Sequence, residues 1–260
     1  MSSQETQSFG MSPRIYTGRF LFIYMGLAVV LVAAVTGVVV LAMKPAPPKP
    51  PPWSTWRPAN GDASTVTGEI ISHISHQYKL NASGDQLVVV FPSAPEVNQD
   101  TKNYDVSTIG IRPTPTAQTL SRVVATTGMV QQQFCGLGPS CSISRGTATS
   151  DRERLVRREA LEIALYTFKF VPSINGVLAY MPPPPGQPPT TLLFLERSGL
   201  SKQLSEPIRE TLPLATPPLP TSADTKESGT IDKLTLPIEY GFQFQLLPNK
   251  TQAIILTPNA

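Results

Sequence analysis

An α+β domain carried on one N-terminal membrane-spanning helix is the fold class this sequence predicts, and three observations predict it. Residues 20–43, FLFIYMGLAVVLVAAVTGVVVLAM, run without a charge, long enough for a helix to cross a hydrocarbon core about 30 Å thick. Residues 44–60 are dense in proline, as a stiff polyproline II spacer would be. Beyond them, β-branched runs and helical patterns mix without a regular βαβ repeat, which favours α+β over a doubly wound sheet. The expected organisation is a short cytoplasmic tail at 1–19, the membrane helix at 20–43, the stalk at 44–60 and an extracytoplasmic domain at 61–260. Roughly 200 residues suffice for one core and are short for two.

The apolar run exceeds the roughly 7 to 15 residues of a cleavable signal and has no small-residue exit, so a retained signal-anchor is expected. A buried soluble helix seldom runs this long without a polar face. Thr36 can bond back to its own backbone, and Tyr24 lies near one interface. Arg14 and Arg19 precede the helix while Lys44, Lys49 and Arg57 follow it, so positive charge nearly balances across it. The short tail, the stalk and the cysteine pair favour N-in, C-out at a plasma membrane. Ala33 and Gly37 have small-xxx-small spacing, a candidate face for a homodimer. Trp53 and Trp56 are expected at headgroup level.

In the domain, Gln86 to Phe91 predicts a strand ended by Pro92, and Val106 to Ile111 a second one. Thr116 is placed as the N-cap of a short helix running to about Thr126, ended near Gly128. The clearest helix is SDRERLVRREALEIALYTFKFV, with Ser150 and Glu153 at capping-box spacing and Pro172 as its stop. Leu161, Ala164, Leu165 and Phe168 form its buried stripe, which makes it the expected central helix packed on the sheet. Its first turns carry Arg152, Arg154, Arg157 and Arg158, expected on a solvated face with Glu153–Arg157 and Arg158–Glu162 pairs. Gly176 to Met181 and Thr191 to Glu196 predict strands joined by the stiff loop PPPPGQPP. A short helix is expected from Ser205 with Pro207 in its first turn, then an exposed proline-rich loop at 213–229. Tyr240 to Leu247 and Thr251 to Thr257 predict a closing hairpin whose first strand has Phe242, Phe244 and Leu246 on one face and Gln243 and Gln245 on a wet one.

The net charge of +3 is spread along the chain with no concentrated basic face, so no nucleic-acid partner is expected. Neither GxxxxGK[ST] nor GxGxxG occurs, and no cofactor is expected. Cys135 and Cys141 bracket CGLGPSC, a loop whose glycines and proline ease a tight turn, so a disulfide is expected if the domain faces an oxidising compartment. The alternatives are two reduced buried thiols or, with fewer ligands than zinc requires, a metal site. His73 and His76 are the only histidines, and on a helix they share a face with Glu69, a set of metal or catalytic candidates unsupported by an HExxH motif. Ser72 and Ser75 adjoin them without a nucleophile-elbow signature. Arg154, Arg157 and Arg158 are candidates for binding an anionic envelope polymer or headgroup. Asn81 and Asn249 each match N-x-[ST].

RREALEIALYTFKFV, with FCGLGPSC before it and MPPPPGQPPTTLLFLER after it, resembles uncharacterised single-pass membrane proteins of actinobacteria over about residues 86–212. The resemblance implies a bacterial plasma membrane and an outward-facing domain, and carries over no catalytic residue. A binding or scaffolding module of the cell envelope is the expected function, its partners being the bilayer and an envelope protein or polymer. The alternatives are a membrane-tethered hydrolase using the His73/His76 region and a regulatory subunit that docks other membrane proteins through its helix.

Overall fold

The computed structural model describes residues 16–43, 51–99, 102–222, 226–248 and 251–259. Most of the tail with Arg14, the proline-rich residues 44–50 and the hairpin turn at Asn249 and Lys250 lie outside the described residues. The chain divides into two compact units, Met1–Pro50 and Pro51–Ala260.

The first unit holds helix α1, Tyr16–Ala42, 27 residues long. Its Phe20–Val39 segment has a mean hydropathy of 2.5 and is apolar and long enough to cross a membrane. The Thr36 hydroxyl donates to the Val32 carbonyl at 2.7 Å, which removes the cost of an unpaired donor in an apolar stretch.

The second unit is a mixed α+β domain built on a nine-stranded sheet. Its strands are β1 (Val89–Ser93), β2 (Glu96–Gln99), β3 (Lys102–Ile111), β4 (Arg122–Ala125), β5 (Met129–Cys135), β6 (Gly176–Tyr180), β7 (Thr191–Glu196), β8 (Glu239–Leu246) and β9 (Gln252–Pro258). They lie in the order β1-β5-β6-β7-β8-β9-β3-β2, with β4 beside β3. The end strands β1 and β2 are consecutive in the chain, and the Glu96 N–H reaches the Gln131 side-chain oxygen at 3.3 Å, so the sheet nearly closes on itself. Pairing is antiparallel except for β3 with β9 and β5 with β6.

Side chains of the central strands alternate between two buried clusters, as the period of two dictates. Val130, Phe134, Val177, Ala179, Leu193 and Leu195 share a cluster with helices α2 (Ala63–Ser75) and α3 (Ser150–Phe170). Leu178, Tyr180, Leu192 and Phe194 share the other with Val106, Ile109, Ile254 and Leu256, inside the curve of the sheet. Asp62 caps α2 by accepting from the Ser64 and Thr65 N–H groups, and Val66, Ile70, Ile71 and Ile74 form its buried face. The N-cap of α3 is Thr149, one residue before the expected Ser150, and its hydroxyl accepts from the Arg152 N–H. At its other end Arg197 donates to the Phe168, Val171 and Ile174 carbonyls, satisfying acceptors that a helix terminus leaves open.

Several expectations are corrected. Residues 116–126 are not helical: the segment is irregular until Arg122, where Val123 and Val124 join β3 as β4. Strand β1 continues through Pro92, which pairs with Gln132, because β1 is an edge strand where a missing N–H is tolerated. Pro207 separates two short helices, α4 (Ser201–Ser205) and α5 (Ile208–Thr211), instead of lying within one. Within the 213–229 stretch, expected as an exposed loop, Pro217, Glu227 and Ser228 are buried, and Ser228 opens α6 (Ser228–Thr235).

Residues 51–60, expected in the stalk, belong to the second compact unit, which begins at Pro51. Trp53 and Trp56 are packed on the domain instead of projecting toward headgroups. The Trp53 indole N–H donates to the Gln203 carbonyl, its ring lies edge-on to Tyr166 at 5.1 Å, and Trp56 stacks on His73 at 3.8 Å.

Between β5 and α3 lies the Cys135–Cys141 disulfide. Gly136 and Gly138 are required by close approach: a Cβ at either would fall 2.7 Å from backbone atoms of Ile143 or Ser142. Leu137, Ser140 and Cys141 have positive φ, and the loop that holds them is tied by Gly136 N–H to Cys141 and Gly138 N–H to Ser142. The Ile143 N–H donates to Pro183, linking this loop to the proline-rich β6–β7 connection. Replacing both cysteines by serine is expected to lower the unfolding free energy by about 2 kcal/mol. Denaturant titration of the full chain in detergent, with and without reductant, checks this, and superimposable curves would refute it.

Candidate functional site

The residues singled out from sequence fall in three places. His73 and His76 lie at the C-terminal end of α2 and, with Ser72, Ser75 and Gln86, line a hollow of about 410 Å³. The His73 ring lies flat against Trp56 with an interplanar angle of 5°, and its Nε2 faces the Gln77 amide at 3.4 Å. Burial lowers the His73 pKa, against the opposing pull of Glu162 and Glu69. Glu69 accepts from the Ala59 N–H. Among the described residues no group of three or more His, Cys, Asp or Glu could hold a metal ion.

Arg152, Arg157 and Arg158 of α3 are buried and Arg154 is half-buried, which corrects the expected solvated face. Arg158 has no exposed surface, and all five of its N–H groups are engaged. Its Nε meets Glu227 at 2.5 Å, one terminal nitrogen donates to Tyr78 and Glu162, and the other to the Leu214 carbonyl and Glu227. Burial disfavours the cation, yet Tyr78, Glu162 and Glu227 outweigh it and hold the guanidinium above its ordinary pKa. Arg157 meets Asp232 at 2.8 Å and Glu153 at 3.6 Å, and Arg154 bridges Asp232 and Asp151. The two expected i, i+4 pairs are present, but the stronger partners are acids on α6 and its cap, far along the chain. With internal carboxylates on all three, these arginines form a structural cluster and not an open anion site.

Glu159 lies in the same layer with no exposed surface and neither carboxylate oxygen hydrogen-bonded. Burial pushes its pKa well above the ordinary 4.5, and neighbouring Glu162 adds to the shift, while Ser75 and Arg158 oppose it. A hollow of about 440 Å³ at the start of α3, edged by Pro182 to Pro184 and Glu239, has its Arg152 terminal nitrogens committed to the Arg145 and Leu87 carbonyls.

At the mouth of the nearly closed sheet, unpartnered buried donors meet an open cavity. A cavity of about 370 Å³ opens between Gln131 and Gln133 of β5, Tyr180 at the end of β6, Phe242 and Phe244 of β8, and the β2–β3 corner with Glu96, Val97 and Asn103. Pro189 of the proline-rich loop forms its rim. Tyr180 is 3% exposed and its hydroxyl has no hydrogen-bond partner, and the buried Gln133 Nε2 has none either. Burial raises the Tyr180 pKa far above its ordinary value, so the hydroxyl stays a donor. The rings stack edge to face, Tyr180 to Phe242 at 5.0 Å and Phe242 to Phe244 at 5.4 Å. Among the described residues Glu96 is the one carboxylate on the lining, and Asn103 donates to it at 3.4 Å. The mouth therefore offers two unspent donors beside aromatic surface with little charge, suited to an uncharged ligand that brings oxygen acceptors.

Sequence reasoning missed Gln131, Gln133 and Tyr180 as site residues. The signal was the period-two pattern of MVQQQFC, in which Val130 and Phe134 face the helices while Gln131 and Gln133 face the mouth. Phe242 and Phe244 were legible as one strand face, although Phe244 and Leu246 are exposed instead of buried.

No protein-family model matches this chain, and neither a curated protein nor a solved structure matches it.

Two outcomes follow from the buried charges. Glu227→Gln leaves Arg158 short of its counter-charge and is expected to cost about 3–5 kcal/mol of stability, measured by denaturant unfolding. Because the folded pKa of Glu159 is raised, its contribution is fully present below about 4.5 and is lost as pH rises toward the folded value. Glu159→Gln is accordingly expected to flatten the decline of melting temperature between pH 5 and pH 9, and an unchanged slope would refute the assignment.

Proposed function

We propose that this chain is a single-pass membrane-anchored binding module of a bacterial cell envelope, held outside the cytoplasm, which captures an uncharged ligand in the mouth of its sheet. The observation that carries the reading is the pairing of a buried, unpartnered Tyr180 hydroxyl with an unpartnered Gln133 amide in an aromatic cavity. A fold seldom leaves such donors unmet, and a ligand carbonyl or hydroxyl would satisfy them. The disulfide supports an oxidising compartment, and α1 supports the anchor.

The hydrolase reading has less support. His73 is engaged with Trp56 and Gln77, and among the described residues the one hydrogen bond between these histidines and serines is from the His76 backbone N–H to the Ser72 carbonyl, with none between their side chains. The regulatory-subunit reading predicts loss of function when residues 20–43 are exchanged for an unrelated spanning helix, which a simple anchor accepts.

Placing a photo-crosslinking amino acid at Phe244 of the full chain in cells is expected to give discrete heavier adducts on illumination, whereas the exposed position Lys202 gives none. The absence of adducts at Phe244 would overturn the binding reading.

A further inference from the structure

We infer that the ligand of this mouth is an extended, uncharged peptide segment that adds to the sheet as a strand along the open edge of β8, directing a side chain into the cavity. The inference rests on the binding reading above and adds an observation independent of the cavity, the unequal length of the strands around β8.

β9 pairs with β8 from Tyr240 to Leu246, but β7 pairs with it only from Glu239 to Gly241. The reason lies in the sequence. β7 begins at Thr191, and Pro188 and Pro189 upstream have no N–H with which to extend the ladder. From Gln243 to Leu246, β9 is the only described strand beside β8.

The direction of the backbone groups follows from two hydrogen bonds. The Leu247 N–H donates to Thr251 on the β9 side at 2.9 Å, and the Phe242 N–H donates to Thr190 on the β7 side at 3.2 Å. Residues of an antiparallel strand alternate in the side to which they direct both N–H and C=O. Phe244 and Leu246 therefore present their backbone groups to the open edge, in register with Phe242. A peptide laid there continues the line of β7 and gains ladder hydrogen bonds, and its alternate side chains fall on the face that bears Phe242 and Phe244. Tyr180 and Gln133 lie in the cavity on that face, where they can donate to a ligand carbonyl or side-chain oxygen. A sugar would use the cavity and leave the edge unused, whereas an extended peptide uses both. Proline in the ligand is disfavoured at positions whose N–H must face β8, and charge is disfavoured in the side chain that enters the mouth.

The test uses the full chain in detergent micelles and a phage-displayed library of linear heptapeptides. The strongest binders are resynthesised with one backbone N-methyl group at a time. Strand addition is expected to show a period of two: methylation at alternate positions weakens binding at least tenfold, and the intervening positions tolerate it. Leu246→Pro, which deletes an edge N–H but none facing β9, is expected to produce a comparable loss. Tyr180→Phe is expected to weaken binding about two- to tenfold. Circular dichroism checks that both variants fold, and the N-methyl scan decides the question if Leu246→Pro does not. Failure to enrich any peptide, or tolerance of methylation at every position, would overturn the inference. A β8-mediated homodimer, detected as a mass doubling that Leu246→Pro abolishes, would overturn it as well. If the Phe244 adducts form and prove to be glycan or lipid, the peptide claim falls while the binding reading stands; if no adducts form, both fall.

Discussion

The buried Arg158–Glu227 pair is the constraint on which the helical layer depends. A guanidinium without exposed surface is tolerable only when every N–H is met, and here the acceptors come from the turn after α2 through Tyr78, from α3 itself through Glu162, and from the α5–α6 segment through Leu214 and Glu227. Elements distant in sequence are thereby required to converge on one point of α3. Arg157, the preceding residue, and Arg154, one turn earlier, both meet Asp232, so α6 is held by charge at its cap and at Asp232 as well as by Ile231 in the core. The proline-rich connection is thereby tied at Leu214 and at Glu227.

The sheet supports a different division of labour. Its central strands are buried on both faces, and one face belongs to the helices and the other to the interior of the curve. The parallel β5–α3–β6 crossover places Gln133 directly opposite Tyr180 in register, which brings the two unpartnered donors together at one end of the sheet. Helical packing thus determines the position of the mouth without contributing to its lining.

Legibility in the sequence followed the strength of local patterns. The apolar helix, the strands at 176–181 and 191–196, and the closing hairpin were readable because their periodicity or turn chemistry is local. β5 was hidden by its run of glutamines, whose polarity masks an alternation that burial makes evident. Residues 116–126 read as a helix because a capping threonine and a terminal glycine were present, yet Val123 and Val124 are held by pairing with β3, a contact no local window contains. The arginines of α3 were placed in solvent for a similar reason: their decisive partners, Glu227 and Asp232, lie about 70 residues away. The cysteine pair was correctly read as a disulfide, and the docking of Trp53 and Trp56 was not anticipated, since proline-rich flanks suggested a detached spacer.

That docking has an optical consequence. The chain has two tryptophans, and both sit where the entry segment is clasped against α2 and α3. All indole emission therefore originates at this clasp. The imidazole stacked on Trp56 and the tyrosine beside Trp53 make the emission sensitive to local geometry, while the sheet contributes no indole of its own. Fluorescence and far-ultraviolet dichroism accordingly observe different parts of the molecule, and a gap between their transitions would measure how firmly the N-terminal segment is fastened to the domain it precedes.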